Sequence, residues 1–394
     1  MQLEAMAIPA QSAEPVAQPA TTARNGGIDA LRAVMTLLVL FHHTAITYGA
    51  SGGWFYRELR PDGSRVSDLL ILFVSTNQAY FMGLFFLLAG YFTPAVIRTK
   101  GALLYTRDRL VRLGVPLLVF GLILGPITVA LAQTARDRPF APTLLAIWRQ
   151  GRFIEGPLWF AEALLIFAAG ALVWYALVDR SAGSRAPSAT RPFPTHATLA
   201  LAAFATGVAA FVIRLWWPVG TDWHGLQFGY FAGYVTLFVA GCAGADAKWL
   251  ERVPAATAWR WFIVGLVALP IMPAAWLFAS RVSILHGSSD GGWTIPAALY
   301  AFWEPFVAWG MILMLLIVFQ RRFVRLSPLW QKLSARAYTI YIIHPPVLVA
   351  LALAWRGVAA PALVKFAVTG AATCLVCYLL AGPLLRIPGA RRVL

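Results

Sequence analysis

Ionisable side chains inside apolar stretches are the residues here best placed to do chemistry. Each costs about 2.5–3.5 kcal/mol to bury in a bilayer, so each needs a reason to be there. The stretch from Gly27 to Thr44 holds Asp29, Arg32, His42 and His43. Arg32 and His43 are eleven residues apart, which on a helix falls within about 20° of three full turns. They therefore share a face, separated by about 16 Å along the axis, whereas His42 points about 80° away. A neutral imidazole with a reference pKa near 6.5 can take a proton from a hydroxyl or carry a group transiently. An arginine on the same face can hold a phosphate or a carbonyl. A structural role is open as well, with Arg32 reaching to the membrane surface and His43 paired to a backbone carbonyl.

Three further groups stand out. In Tyr338-Thr339-Ile340-Tyr341-Ile342-Ile343-His344-Pro345-Pro346 the ring-bearing residues recur at i, i+3 and i+6, one stripe of a helix. Two prolines in a span release backbone carbonyls, tolerable only against protein or a wet cavity, so His344 sits beside a break; packing alone is the other role open to it. Glu155 and Glu162 are seven apart near the start of one apolar run, and Glu304 precedes Pro305 in another, where the structural alternative to a site role is an ion pair with an arginine such as Arg214. No carboxylate pair has a spacing that by itself identifies acid–base chemistry. Arg107, Arg109 and Arg112 precede Pro116, with Arg109 and Arg112 neighbours at i, i+3. Such forks match phosphate oxygens, and they serve equally as positive anchors at a membrane surface. Cys242, Cys374 and Cys377 lie in apolar runs with no second pair to complete a metal site, so they read as buried thiols and no metal is expected.

These residues need a membrane scaffold. Of 394 residues, 60% are hydrophobic and 12% charged, with a mean hydropathy of +0.70. A soluble domain carries about 25% charged residues, so an ordinary soluble enzyme is excluded, as is disorder beyond the first stretch. The net charge of +16 does not point to nucleic acid, because the basic residues cluster between long apolar runs. Residues 1–25 are rich in Ala, Pro, Gln and Thr and lack the apolar core of a signal peptide; they read as a disordered cytoplasmic leader.

Ten apolar runs follow, near 28–49, 78–98, 113–132, 157–178, 196–216, 227–245, 258–280, 293–319, 336–354 and 360–384. The expected fold is an all-α polytopic membrane protein of about ten transmembrane helices, one domain over residues 26–394. Residues 66–77 are apolar but short, and are expected to form a helix or re-entrant piece lying at the outer surface before the second span. With the N-terminus inside, 21 of the 32 basic residues fall on inner segments, which places both termini in the cytoplasm. No internal repeat is evident.

Taken in order, these pieces resemble the acyltransferase 3 family of integral membrane proteins. The likeness rests on Asp29-x-x-Arg32 followed by the Arg-x10-His pattern ending at His43, and on Gly83-Leu84-Phe85-Phe86-Leu87-Leu88-Ala89-Gly90-Tyr91-Phe92. It continues through the arginine run from Arg107 to Pro116, Leu158-Trp159-Phe160, and Tyr341-Ile342-Ile343-His344. Within the family the chain looks most like the branch that transfers succinyl groups to periplasmic glucans. The flanks of Glu162 depart from the family's glutamate segment, and no extracytoplasmic hydrolase-like domain is expected after the last span. The resemblance implies a multi-pass protein of the bacterial inner membrane that moves an acetyl or succinyl group from cytoplasmic acyl-CoA, a co-substrate rather than a bound cofactor, to a hydroxyl of an extracytoplasmic glycan. It implies His43 and Arg32 as catalytic residues, with His344 and Glu162 beside them. Arg107, Arg109 and Arg112 would hold the donor, and Asp29, Trp159 and Tyr341 would shape the site. A transporter or flippase would also carry intramembrane charges and broken helices, though such proteins often show similar halves. A non-catalytic membrane sensor would not need the face that Arg32 and His43 share.

Overall fold

The computed structural model describes residues 25–179, 191–278 and 281–394. Of the expected leader only Asn25 is among them, and its side chain accepts the Ile28 N–H at 3.2 Å to cap the first helix.

Apart from two isolated bridges, the described chain is helices and loops. Helix α1 spans Gly26–Thr47. A 70-residue helical run, Arg65–Thr134, is broken at Gly101, whose φ of 76° only glycine adopts readily. We call its two arms α2 (65–100) and α3 (102–134). The short α4 (Phe140–Arg149) precedes α5 (Gly156–Val178), α6 (His196–Arg214) and α7 (Phe228–Gly244). Then follow α8 (Ala255–Trp276), α9 (Ile295–Arg322), α10 (Pro328–Ala354) and α11 (Ala362–Leu384). Hydroxyl caps at Ser64, Thr195 and Thr294, and Pro296 and Pro328 within the first turns, start α2, α6, α9 and α10 as the local sequence dictates.

Among the described residues, eight helices are long and apolar enough to cross a membrane. All ten expected runs fall on helices: two of them share the run broken at Gly101, and 227–245 is the shorter α7. One expectation is corrected. Residues 66–77 are no separate piece but the first turns of α2, continuous with the span.

Helices α1 and α9 are the centre of the bundle, each burying 67% of its most apolar window, against 28% for α5, α6, α8 and α11. α1 packs on α2, α9, α10 and α11. Small residues set the closest approaches, as expected where lipid removes the hydrophobic drive between helices. A Cβ on Gly90 would strike the Phe238 carbonyl, and one on Gly241 the Leu87 carbonyl, so α2 and α7 touch backbone to backbone. Gly265 and Gly310 do the same for α8 and α9. For Glu304 the structural alternative holds: Arg214 pairs with it while also donating to the Gly229 carbonyl at 2.9 Å and lying 4.7 Å over the Tyr300 ring.

Loops alternate between the two ends. At one, Arg98 pairs with Asp246, Gln320 meets the Leu250 carbonyl, and Ser334 donates to the Asp29 carbonyl at 3.0 Å. At the other, Tyr48 meets Thr369 at 2.9 Å and the Val219 N–H donates to the Asp290 carbonyl at 2.8 Å.

Breaking a buried pair leaves an uncompensated charge, which costs about 3–5 kcal/mol, whereas exposed pairs contribute little. Glu304→Ala should therefore lower the melting temperature of detergent-purified protein sharply. Asp246→Ala should leave it close to wild type.

Candidate active site

The site begins with a missing hydrogen. On α10 the carbonyl of Tyr341 would ordinarily accept from the amide four residues on, but that residue is Pro345. His344 takes the vacated carbonyl, with Nδ1 2.5 Å from the Tyr341 oxygen. Only an N–H can face a carbonyl oxygen, so neutral His344 carries its proton on Nδ1 and presents Nε2 as an acceptor. That Nε2 lies 3.0 Å from Nδ1 of His43, on α1. His43 must then hold its own proton on Nδ1, and Nε2 keeps its lone pair. These tautomers follow from the hydrogen-bond network. One proline thus orients two imidazoles that stand 301 residues apart in sequence.

His43, with Nδ1 engaged, lines a cavity of about 1410 Å³. The cavity lies at the end of the bundle bearing residues 48–64, 219–227 and 289–290. Aromatic rings (Trp54, Trp159, Trp276, Tyr230, Tyr234, Tyr300) and polar groups (Ser75, Gln78, Gln227, Asp68, Asp222, Asp290) share its wall. Arg65 is the one lysine or arginine among its lining residues, against three aspartates, in a chain of net charge +16. Burial pushes the Asp290 carboxyl above its ordinary range, opposed by the charge of Arg214. Trp54 stacks face to face on His43, with ring centroids 4.0 Å apart and 12° between planes.

The stripe foreseen at residues 338, 341 and 344 is present. Tyr338 and Tyr341 stack at 6.5 Å, and Tyr341 and His344 lie 5.8 Å apart. The Tyr338 hydroxyl donates at 2.7 Å to the Arg112 carbonyl, which lies in the π-helical turn Leu110–Gly114 just before Pro116. Tyr341 donates to the Pro157 carbonyl at the start of α5. A row of rings therefore leads from the arginine end to the histidine pair, about 9 Å along α10.

The other expected residues are spread around this centre. Trp159 lines the cavity and stacks on Tyr234 at 5.7 Å. Arg32 is exposed, three turns along α1 from His43, and is not among the cavity lining; Asp29 lies one turn before it. Glu162 sits on α5, partly buried, outside the cavity wall. Arg107 and Arg112 are exposed and Arg109 lies 5.0 Å over the Tyr105 ring, all at the far end of α3 from the cavity. His42 also lines the cavity, buried with its ring 4.8 Å from Phe81 and perpendicular to that of His43. Sequence reasoning missed Trp54. Its Gly52-Gly53-Trp54 setting is a visible signal, but an interfacial tryptophan looks the same. Among the described residues no group of three or more histidine, cysteine or carboxylate side chains could hold a metal.

Pro345→Ala would return an amide to the Tyr341 carbonyl and set it against the His344 N–H. In ¹⁵N-histidine spectra of the wild type, both His344 and His43 should be neutral with the proton on Nδ1. The variant should show mixed tautomers at His344. An unchanged His344 signal would mean that the carbonyl does not set its proton.

No curated protein and no solved structure matches the chain. The sequence model of acyltransferase 3, described as an acyltransferase domain, does match, over residues 25–382. With an all-helical membrane fold across that span, the chain belongs to the acyltransferase 3 family.

Proposed function

We propose that this protein is an O-acyltransferase of the bacterial inner membrane, moving an acetyl or succinyl group from cytoplasmic acyl-CoA to a hydroxyl of an extracytoplasmic glycan. The observation that carries this reading is the ordered pair His43–His344, with Nε2 of His43 left unengaged beside a wide cavity of mixed apolar and polar lining. In the transfer step the acceptor O–H gives its proton to His43 Nε2 while its oxygen forms a bond to the acyl carbon. The thioester C–S bond breaks, and the departing thiolate takes up the proton. Positive charge developing on His43 is stabilised by the hydrogen bond from its Nδ1–H to His344 Nε2, and His344 in turn donates to the Tyr341 carbonyl.

Aromatic platforms beside amide and carboxylate acceptors suit a sugar, which offers apolar faces and many O–H donors. We place both termini in the cytoplasm, the cavity end outside and the arginine end inside, following the basic bias of the loops. Arg107, Arg109 and Arg112 then lie where donor phosphates would dock, and the row from Tyr338 to His344 leads the acyl end toward His43. Arg32 contacts the donor on that inner side, and Glu162 acts from α5. A transporter of acylated envelope molecules would need the cavity but not the fixed tautomers.

Two measurements follow. A general base contributes about 10²–10⁴-fold. His43→Ala should therefore lose that much acyl transfer by purified protein, while His42→Ala, removing a ring packed on Phe81, keeps most of it; equal losses would remove the assignment. The double variant Arg109→Lys/Arg112→Lys keeps the charge but not the two-pronged fork, so acyl-CoA should bind roughly tenfold more weakly at fixed salt. Unchanged affinity would make these arginines anchors only.

A further inference from the structure

Between α1 and α2, residues 48–64 fold back over the histidine pair instead of looping away. Backbone ties fix the start of this segment: the Ala50 N–H donates to the Ala45 carbonyl at 2.9 Å, and Ser67 donates to the Gly49 carbonyl at 2.8 Å. Gly52, at φ +135°, lies so close over Ile46 that a Cβ would come within 2.7 Å of its side chain. The Glu58 N–H then donates to the Thr47 carbonyl at 2.9 Å, closing the segment on the end of α1.

Its firmest tie is ionic. Glu58 pairs with Lys365, a lysine buried inside α11. The Lys365 ammonium also lies 3.3 Å from the Arg356 carbonyl and 5.6 Å from the Trp355 ring centroid, so its charge is shared among three partners. A buried ion pair is weak evidence of stability, but it is a good device for fixing one arrangement. What it fixes here is Trp54. That indole lies parallel to His43 at 4.0 Å and to His344 at 5.8 Å, within 12° of both planes. Its own N–H is buried with no partner among the described residues, so no hydrogen bond from the ring holds it there.

We propose that residues 48–64 are a working part of the site, in which the Glu58–Lys365 pair locks the segment and the locked segment holds Trp54 as the residue that positions the His43 imidazole. The stacked ring sets the imidazole plane, so that Nε2 meets the acceptor hydroxyl in line, and it keeps water from that face. Glu58 and Lys365 are positioning residues acting through Trp54. The kinetic consequence rests on the acyl-transfer reading; the placement does not.

The test compares wild type with Trp54→Ala, Trp54→Phe, Glu58→Gln and the double variant Trp54→Ala/Glu58→Gln. Only monodisperse purified protein is used, so that loss of folding is not scored. First, His43 is labelled with diethyl pyrocarbonate and followed by peptide mass. Trp54→Ala and Glu58→Gln should speed its modification several-fold, and Trp54→Phe should not. Second, acetyl-CoA and succinyl-CoA are supplied with a β-linked glucose disaccharide, and transfer is measured against hydrolysis. A misplacement of about 1 Å costs about 10²-fold, so Trp54→Ala should lower kcat for transfer by that order while the KM for donor stays within about twofold. Hydrolysis should rise relative to transfer. Glu58→Gln should show the same split, and the double variant should lose no more than Trp54→Ala alone. Unchanged labelling in Glu58→Gln, or additive losses in the double variant, would overturn the proposal. Faster labelling in both single variants, with no transfer even by wild type, would uphold the placement and reject the acyl-transfer reading.

Discussion

A backbone carbonyl in a membrane has no water to turn to, and this protein is organised by carbonyls beside prolines that side chains claim. Pro345 frees the Tyr341 carbonyl and His344 claims it. Pro116 and Pro126 each follow a π-helical turn, Leu110–Gly114 and Phe120–Leu124, and in these turns the Arg112 carbonyl accepts from the Tyr338 hydroxyl at 2.7 Å and the Leu122 carbonyl from the Trp148 indole N–H at 2.9 Å. The last two become ties between neighbouring segments, α10 to α3 and α4 to α3. The first stays within α10, and its product is a proton placed on a known nitrogen. The tautomer of His43, and so the one ring nitrogen left for the cavity, depends on it.

The scaffold was legible because ten apolar runs separated by basic clusters fit a helical membrane bundle and little else, and each run fell on a helix. The failure at residues 66–77 has an instructive cause. Asp68 and Ser75 lower the hydropathy there and, with Gln78 at the start of the expected span, look like its boundary, yet all three line the cavity inside the bundle. Polar residues facing a wet interior and polar residues at a membrane surface are the same letters in sequence. The candidate site was legible in part. Buried ionisable residues marked His43 and His344 one at a time, and helical spacing gave the row at Tyr338, Tyr341 and His344. Their meeting could not be read, since it joins α1 to α10 across 301 residues. Trp54 and Glu58 were invisible for another reason: they lie in a segment with no periodicity, and only its folding back over the pair gives them a role.

Charge is divided by depth. The ends of the helices away from the cavity carry the arginine clusters, while the cavity itself presents three aspartates against one arginine. Inside, the Arg214–Glu304 and Lys365–Glu58 pairs neutralise themselves, so neither adds net charge to the interior.

Whether the ordered histidine pair moves an acyl group to an envelope glycan is decided in cells lacking the gene, complemented with wild type or with His344→Ala protein at equal membrane levels. Mass spectrometry of the envelope glycans would be the readout. Wild type should restore an acetyl or succinyl mass that stays absent with His344→Ala. The same glycan masses in both strains would contradict that transfer.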